Sequence, residues 1–199
     1  MSATVNRPEA ARIGARADEL LTEIKDDIEF DRLVASSQLY ADCWATFTGY
    51  PIIAEWNHDT DKAPLFEEGL KVLALKAAVW EATGGDEAAA ELDVAAPVDE
   101  MVHAILAQTN LLNRLAERRG IAVVHMTDQE EFVWERDDYT QDCYEAAGWG
   151  TPPERYWIGA AETRRRHQIL DAAYARIGIG PQGRSHGFTF EAREEYASV

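Results

Sequence analysis

The chain has 199 residues, 46% of them hydrophobic, enough for one domain with a sizeable core. Its 36 acidic and 19 basic residues leave a net charge of −17, which opposes binding to nucleic-acid phosphates and to anionic membrane surfaces. No run approaches the roughly 18 apolar residues of a membrane span, the N-terminus lacks an apolar signal core, and Cys43 and Cys143 have no metal-site spacing. A cytoplasmic protein with two reduced thiols is expected.

Residues 1–14 are mixed and polar and read as a flexible tail. From Ala15 the pattern becomes helical, with Leu20, Leu21, Ile24 and Ile28 on one face. A second helix is predicted over 31–47, carrying Leu33, Val34, Leu39, Tyr40, Cys43, Trp44 and Phe47. Residues 48–64 hold Gly49, Pro51, Asn57, Asp59, Asp61 and Pro64, all turn formers, and read as a loop. That loop contains Trp56-Asn57-His58-Asp59, a polar turn beside a tryptophan anchor or a site loop with a histidine. A third helix over 65–83 places Phe66, Leu70, Leu73, Ala77 and Trp80 at helical intervals and ends at Gly84-Gly85. Residues 86–96 form an acidic, alanine-rich connector with room for one helical turn.

The next stretch, 97–125, carries the clearest pattern in the chain. Pro97 suits a first helical turn, because its missing N–H would be unpaired there. Asp99 and Glu100 complement the positive end of the helix dipole, and Arg114, Arg118 and Arg119 the negative end, before a stop at Gly120. Val98, Met101, Val102, Ile105, Thr109 and Leu112 define a buried face, so one long helix over 98–119 is predicted. Asp99, His103, Leu106 and Asn110 form a second stripe on its flank. The apolar run 121–125 then reads as a buried extended segment that brings His125 back. Thr127 and Glu130 match a capping box for a short helix from Asp128, and 137–147 reads as another helix. A rigid turn, GWGTPP, precedes a last helix that starts between Glu154 and Ile158 and runs to Ile177, with Ile169, Leu170, Ala173 and Tyr174 packing inward. The glycine-rich tail 178–199 closes the chain.

Chemistry is suggested only where histidines and carboxylates share a spacing. Asp99 stands four residues before His103, close enough to hold the imidazole in one tautomer and raise its basicity. His125 is placed to join that pocket as a second base or ligand. The alternative is a carboxylate at a helix start beside a structural histidine. Glu100 and His103 have the E-x-x-H spacing of di-iron bundles, but the motif occurs once, and Glu162, five residues before His167, does not repeat it. Were a metal bound, its ligands would be His103 and His125 with Asp99 or Glu100, and His58 as a further donor. Two imidazoles and a carboxylate suit Zn, Mn or non-haem Fe. No serine elbow is present, neither cysteine has a local histidine, and the run Arg164–Arg166 reads as a solvated face.

The segments VDEMVHAILAQT and RRGIAVVH resemble the V-D-E-x-W-H-x-x-I-L-x-T pattern of the glycine-rich-domain-protein-like (GRDP-like) proteins of bacteria and plants. YEAAGWGTPPERYW is similar to their aromatic–glycine–proline–tryptophan ending, so the resemblance spans about residues 65–157. It departs at Val102, where the family has tryptophan, and at His125-Met126-Thr127-Asp128, which replaces an H-x-P segment. It implies no particular activity or substrate; it singles out Asp99, His103 and His125 as positions to test.

Together these readings predict an all-α protein, a single compact domain over 15–177 of about six or seven helices arranged around the 98–119 helix. The expected function is a small soluble enzyme, of specialised metabolism or peptide modification, with a His103/His125/Asp99 acid–base or metal-assisted pocket for a small organic or peptide substrate. The competing expectation is a non-catalytic acidic adaptor that binds a partner through its surface and tail. A homodimer stays open under either.

Overall fold

A computed structural model describes residues 7–48, 58–126 and 133–176, with the backbone alone given for 40–48, 58–59, 170 and 173–174. Eight helices and no strand occur among the described residues: α1 (Ala10–Lys25), α2 (Phe30–Thr48), α3 (His58–Thr83), α4 (Glu87–Ala90), α5 (Ala96–Leu106), α6 (Thr109–Arg119), α7 (Tyr139–Ala146) and α8 (Ala160–Ala175). The all-α class is therefore as predicted.

The predicted 98–119 helix is instead two helices, α5 and α6, and this corrects the sequence reading. No glycine or proline marks the break. Polar side chains make it: Gln108 donates from Nε2 to the Ala104 carbonyl (3.3 Å) and the Thr109 hydroxyl to the Leu106 carbonyl (3.2 Å), while the Gln108 N–H tightens onto the Ile105 carbonyl. Such local bonds compete with the regular ladder. The apolar period survives the break, since Leu111, Leu112 and Leu115 are buried on α6, which is why periodicity alone hides it. Thr109 and Asn110 consequently turn out to solvent, and Asn110 leaves the Asp99–His103 stripe.

The central helix is α3, which packs against α1, α2, α5 and α7 and the short α4. Every side chain from Val72 to Val79 is buried, as expected of a helix enclosed on all sides. α3 starts at His58 rather than at 65, with Pro64 inside it, so His58 lies in a helix and not in the predicted loop. The side chain of His58, residues 49–57, the predicted start at Asp128 and the 178–199 tail lie outside the described residues.

α1 begins at Ala10, five residues ahead of its predicted start, and buries Ile13, Gly14, Ala17, Leu20, Leu21 and Ile24. Ile28, placed on that face by the pattern, is 86% exposed, because the helix ends at Lys25 and 26–29 form a turn. Ile169 is also exposed rather than packed. Gly14 sits where α1 meets the end of α7: a Cβ there would lie 2.5–2.7 Å from backbone atoms of Cys143, Ala146 and Ala147. Asp138 caps α7, accepting from the Gln141 N–H at 2.9 Å. Trp149 in the following turn donates to Asp18 of α1 at 2.8 Å.

Candidate functional site

Four elements converge on one polar cluster. The exit of α6 sets it up. Gly120 takes a left-handed conformation (φ 67°), and its N–H and that of Ile121 both donate to the Ala116 carbonyl. Residues 121–126 then run without regular structure, burying Ile121 and Val124 and leaving Val123 outward. This carries His125 to α5. Its Nε2 lies 2.8 Å from Nε2 of His103, with the two rings edge to face. Asp99, one turn before His103 and buried, brings Oδ2 to 3.4 Å from the same Nε2. The sequence-predicted trio is thus assembled in space, and its three ligand atoms lie within 4.8 Å of one another. Glu100 does not join that group.

Two residues that the sequence reading missed complete the cluster. Lys76 of α3 is wholly buried, and its Nζ lies 2.6 Å from Glu91 Oε1 and 3.2 Å from His125 Nδ1. Glu91, at the end of α4, accepts the Met126 N–H on its other oxygen at 3.1 Å, fixing the returning segment. A signal for Lys76 exists in the sequence: it is a lone charge within the otherwise apolar run Val72–Trp80, and such a charge is buried only if paired. Glu91 has no such signal, being one of several acids in an acidic connector.

Burial, then the Lys76 ammonium, then the neighbouring His103 push the His125 pKa down from 6.5 to about 3. His125 is therefore neutral at physiological pH and carries a single ring proton. A bond between two Nε2 atoms requires one protonated and one bare nitrogen, so the pair shares a single proton at its centre. His103 keeps a quarter of its side chain exposed. A cleft of about 180 Å³, lined by Trp80, Glu87, Val124 and Met126 among others, reaches His125 from the α3 side.

The same donors bear on the metal expectation. Nitrogen ligands held at about 2.0–2.1 Å stand about 2.9 Å apart at a right angle and about 3.3 Å apart at a tetrahedral one. The 2.8 Å separation of His103 and His125 is a hydrogen-bond contact, so a tetrahedral ion held by both rings would need them to move slightly apart. The surroundings suit a metal less well. A ligating imidazole ordinarily donates its remote N–H to a carboxylate or carbonyl, whereas His125 Nδ1 faces the Lys76 ammonium.

A second buried network lies nearer the N-terminus of α3. Glu68 accepts from Lys71 (2.8 Å) and the Tyr144 hydroxyl (3.1 Å) on one oxygen and from Trp157 Nε1 (2.7 Å) on the other. Trp134 and Trp149 pack around it. Glu68, Lys71, Tyr144 and the Trp157 indole N–H are paired with one another and join α3, α7 and the turn at Trp157. Cys143 is buried, and its thiol is pushed up to about 11, mainly by burial, which disfavours the thiolate. Arg165 and Arg166 both bind Glu162 on their own helix.

Comparison with protein families, with curated proteins and with solved structures finds no match for this chain.

Proposed function

We propose that the protein is a small enzyme that moves a proton to or from a small organic or peptide substrate, with His103 and His125 as the acid–base pair and Asp99 as the carboxylate that stabilises the imidazolium. The observation that carries this reading is the 2.8 Å contact between the two Nε2 atoms beside the buried Asp99. Two imidazoles in hydrogen-bond contact hold one transferable proton, and the partly exposed His103 ring gives a substrate access to it. When His103 takes up a proton its bond to His125 must break, since both nitrogens would then donate; Asp99 is positioned to receive the cation. The cleft beside Trp80, about 180 Å³, is of a size to take a small molecule or the end of a peptide. A reducing, cytoplasmic setting fits the free thiol of Cys143.

The test is to incubate the protein with a small-molecule extract in deuterated water and follow the products by mass spectrometry. Compounds that gain deuterium or change mass with the wild type, and not with His103→Asn or His125→Asn of unchanged melting temperature, are the expected result. No compound altered by the wild type, together with a protein complex that both variants retain, would favour the acidic adaptor.

A metal-assisted version of the same site is the second reading, supported by the convergence of Asp99, His103 and His125. Elemental analysis of protein purified without tag or chelator separates the two. Near-stoichiometric Mn, Fe or Zn, lost with His103→Asn, makes the pair a ligand set; a trace amount and indifference to EDTA leave it an acid–base pair.

A further inference from the structure

We infer that Lys76 is a positioning residue that holds His125 in the tautomer protonated on Nε2, and thereby makes His103 the proton acceptor of the pair. The inference rests on the acid–base reading for its meaning, though its geometry stands independently. The orientation of the His125 ring is fixed by two contacts, Nδ1 to Lys76 and Nε2 to His103. Turning the ring over would place carbon against both partners. An ammonium has three donors and no lone pair, so Nδ1 facing it must be the bare nitrogen. Lys76 Nζ donates to Glu91, whose carboxylate sits 2.6 Å away in a charge-assisted bond. The single proton of neutral His125 is then on Nε2, pointed at His103, and Nε2 of His103 is bare. His103 carries its own proton on Nδ1.

The direction of the pair follows. His103 presents the basic lone pair at the point where Asp99 can stabilise the cation. His125, with Nδ1 facing Lys76, donates to that lone pair in the resting state and yields it when a substrate arrives. Glu91 acts at one remove, by anchoring Lys76 and the Met126 N–H together. The same arrangement opposes a metal at these donors: coordination through Nε2 would drive the His125 proton onto Nδ1, against the ammonium.

The experiment is long-range ¹H–¹⁵N NMR of the histidine rings at neutral pH, with signals assigned from His103→Asn and His125→Asn. The wild type is expected to show His125 protonated on Nε2 and bare on Nδ1, and His103 the reverse. Lys76→Met should lose the His125 preference or invert it, and Lys76→Arg should retain it. Should Lys76→Met fail to fold, because Glu91 is left buried and unpaired, Lys76→Met/Glu91→Gln removes both charges and is read in its place. A wild-type His125 protonated on Nδ1 overturns the inference, as does an unchanged His125 tautomer in the methionine variant. A protein that shows the expected tautomers and alters no compound would sink the enzymatic reading alone. A functioning enzyme with the opposite tautomers would sink this inference alone. Zinc titration gives an independent arm: affinity should rise when Lys76 is replaced by methionine in the double variant, and no rise counts against the claim that Lys76 opposes the metal.

Discussion

Glu68 shows how this fold accommodates a buried carboxylate. It is 3% exposed and all its observed partners are side chains that are themselves largely enclosed. Burial and then Glu68 drive the Tyr144 hydroxyl well above the usual phenol range, so that phenol stays a donor at any working pH. Removing the carboxylate strands Lys71, Tyr144 and Trp157 together. Glu68→Ala should cost about 3–5 kcal/mol, the ordinary penalty for breaking a buried pair, while Glu68→Gln, which keeps an acceptor for Trp157, should cost less. Urea unfolding at neutral pH measures both; equal losses would mean that the charge on Glu68 contributes nothing. Cys143 offers a second check at this scale. With its thiol pushed up to about 11 and no exposed surface, it should react with a disulfide reagent only at the rate of unfolding. Thiol titration of a Cys43→Ser variant in native buffer should therefore give almost no fast phase.

Between elements, the contacts that matter are those with no room to relax. α1 and α7 approach at Gly14, where any side chain meets backbone rather than a movable side-chain tip. Gly14→Ala gains helix propensity of about 1 kcal/mol and loses more through overpacking, typically about 1–3 kcal/mol; with three backbone atoms under 3 Å the loss should win, and the midpoint of denaturation should fall. The turn after α1 is clasped to α6. Asp27 accepts from Arg118 and Arg119, and Glu29 from Arg114 and Arg118. The Arg118 bond, chiefly, holds the Asp27 carboxyl at about 2, below its usual 3.8. The folded state therefore binds this proton less readily than the unfolded one. Its contribution is complete above pH 3.8 and is lost as pH falls through about 2. Asp27→Asn should remove that contribution, so wild type and variant should differ in stability at pH 6 and converge towards pH 2. A gap that stays constant with pH would show that the clasp is not electrostatic.

Over the whole molecule the excess of acid sets the response to salt. A net charge of −17 on one small domain is self-repulsive. Screening shortens the reach of that repulsion from about 30 Å at 0.01 M salt to about 10 Å at 0.1 M. The exposed ion pairs weaken at the same time, but each is worth little. The melting temperature should rise with sodium chloride over this range, and a fall would mean that the arginine-centred pairs of Arg16, Arg114 and Arg118 outweigh the repulsion. Among the described residues no helix is long and apolar enough to cross a membrane.

Helix identity was legible in the sequence because it rests on local causes: period 3.6 in the apolar residues, Pro97 at a first turn and Gly120 at a stop. The pairing of Asp99 with His103 was legible for the same reason, since four residues are one turn. The return of His125 was half legible, because an apolar run after a glycine stop must go back over the core, though not to a particular side chain. What the tertiary structure alone decided is everything that depends on residues distant in sequence. The break at Gln108 rests on polar side chains choosing backbone partners, and the apolar pattern continues through it. Ile28 fits the α1 period and is nonetheless outside, because the chain has already turned. The role of Lys76 required knowing that Glu91, fifteen residues on, and His125, forty-nine on, meet at its ammonium. A lone lysine in an apolar helix announces that a partner exists; only the packing of α3 against the α4 end and the 121–126 segment says which partner, and a buried charge is tolerated only where that packing supplies one.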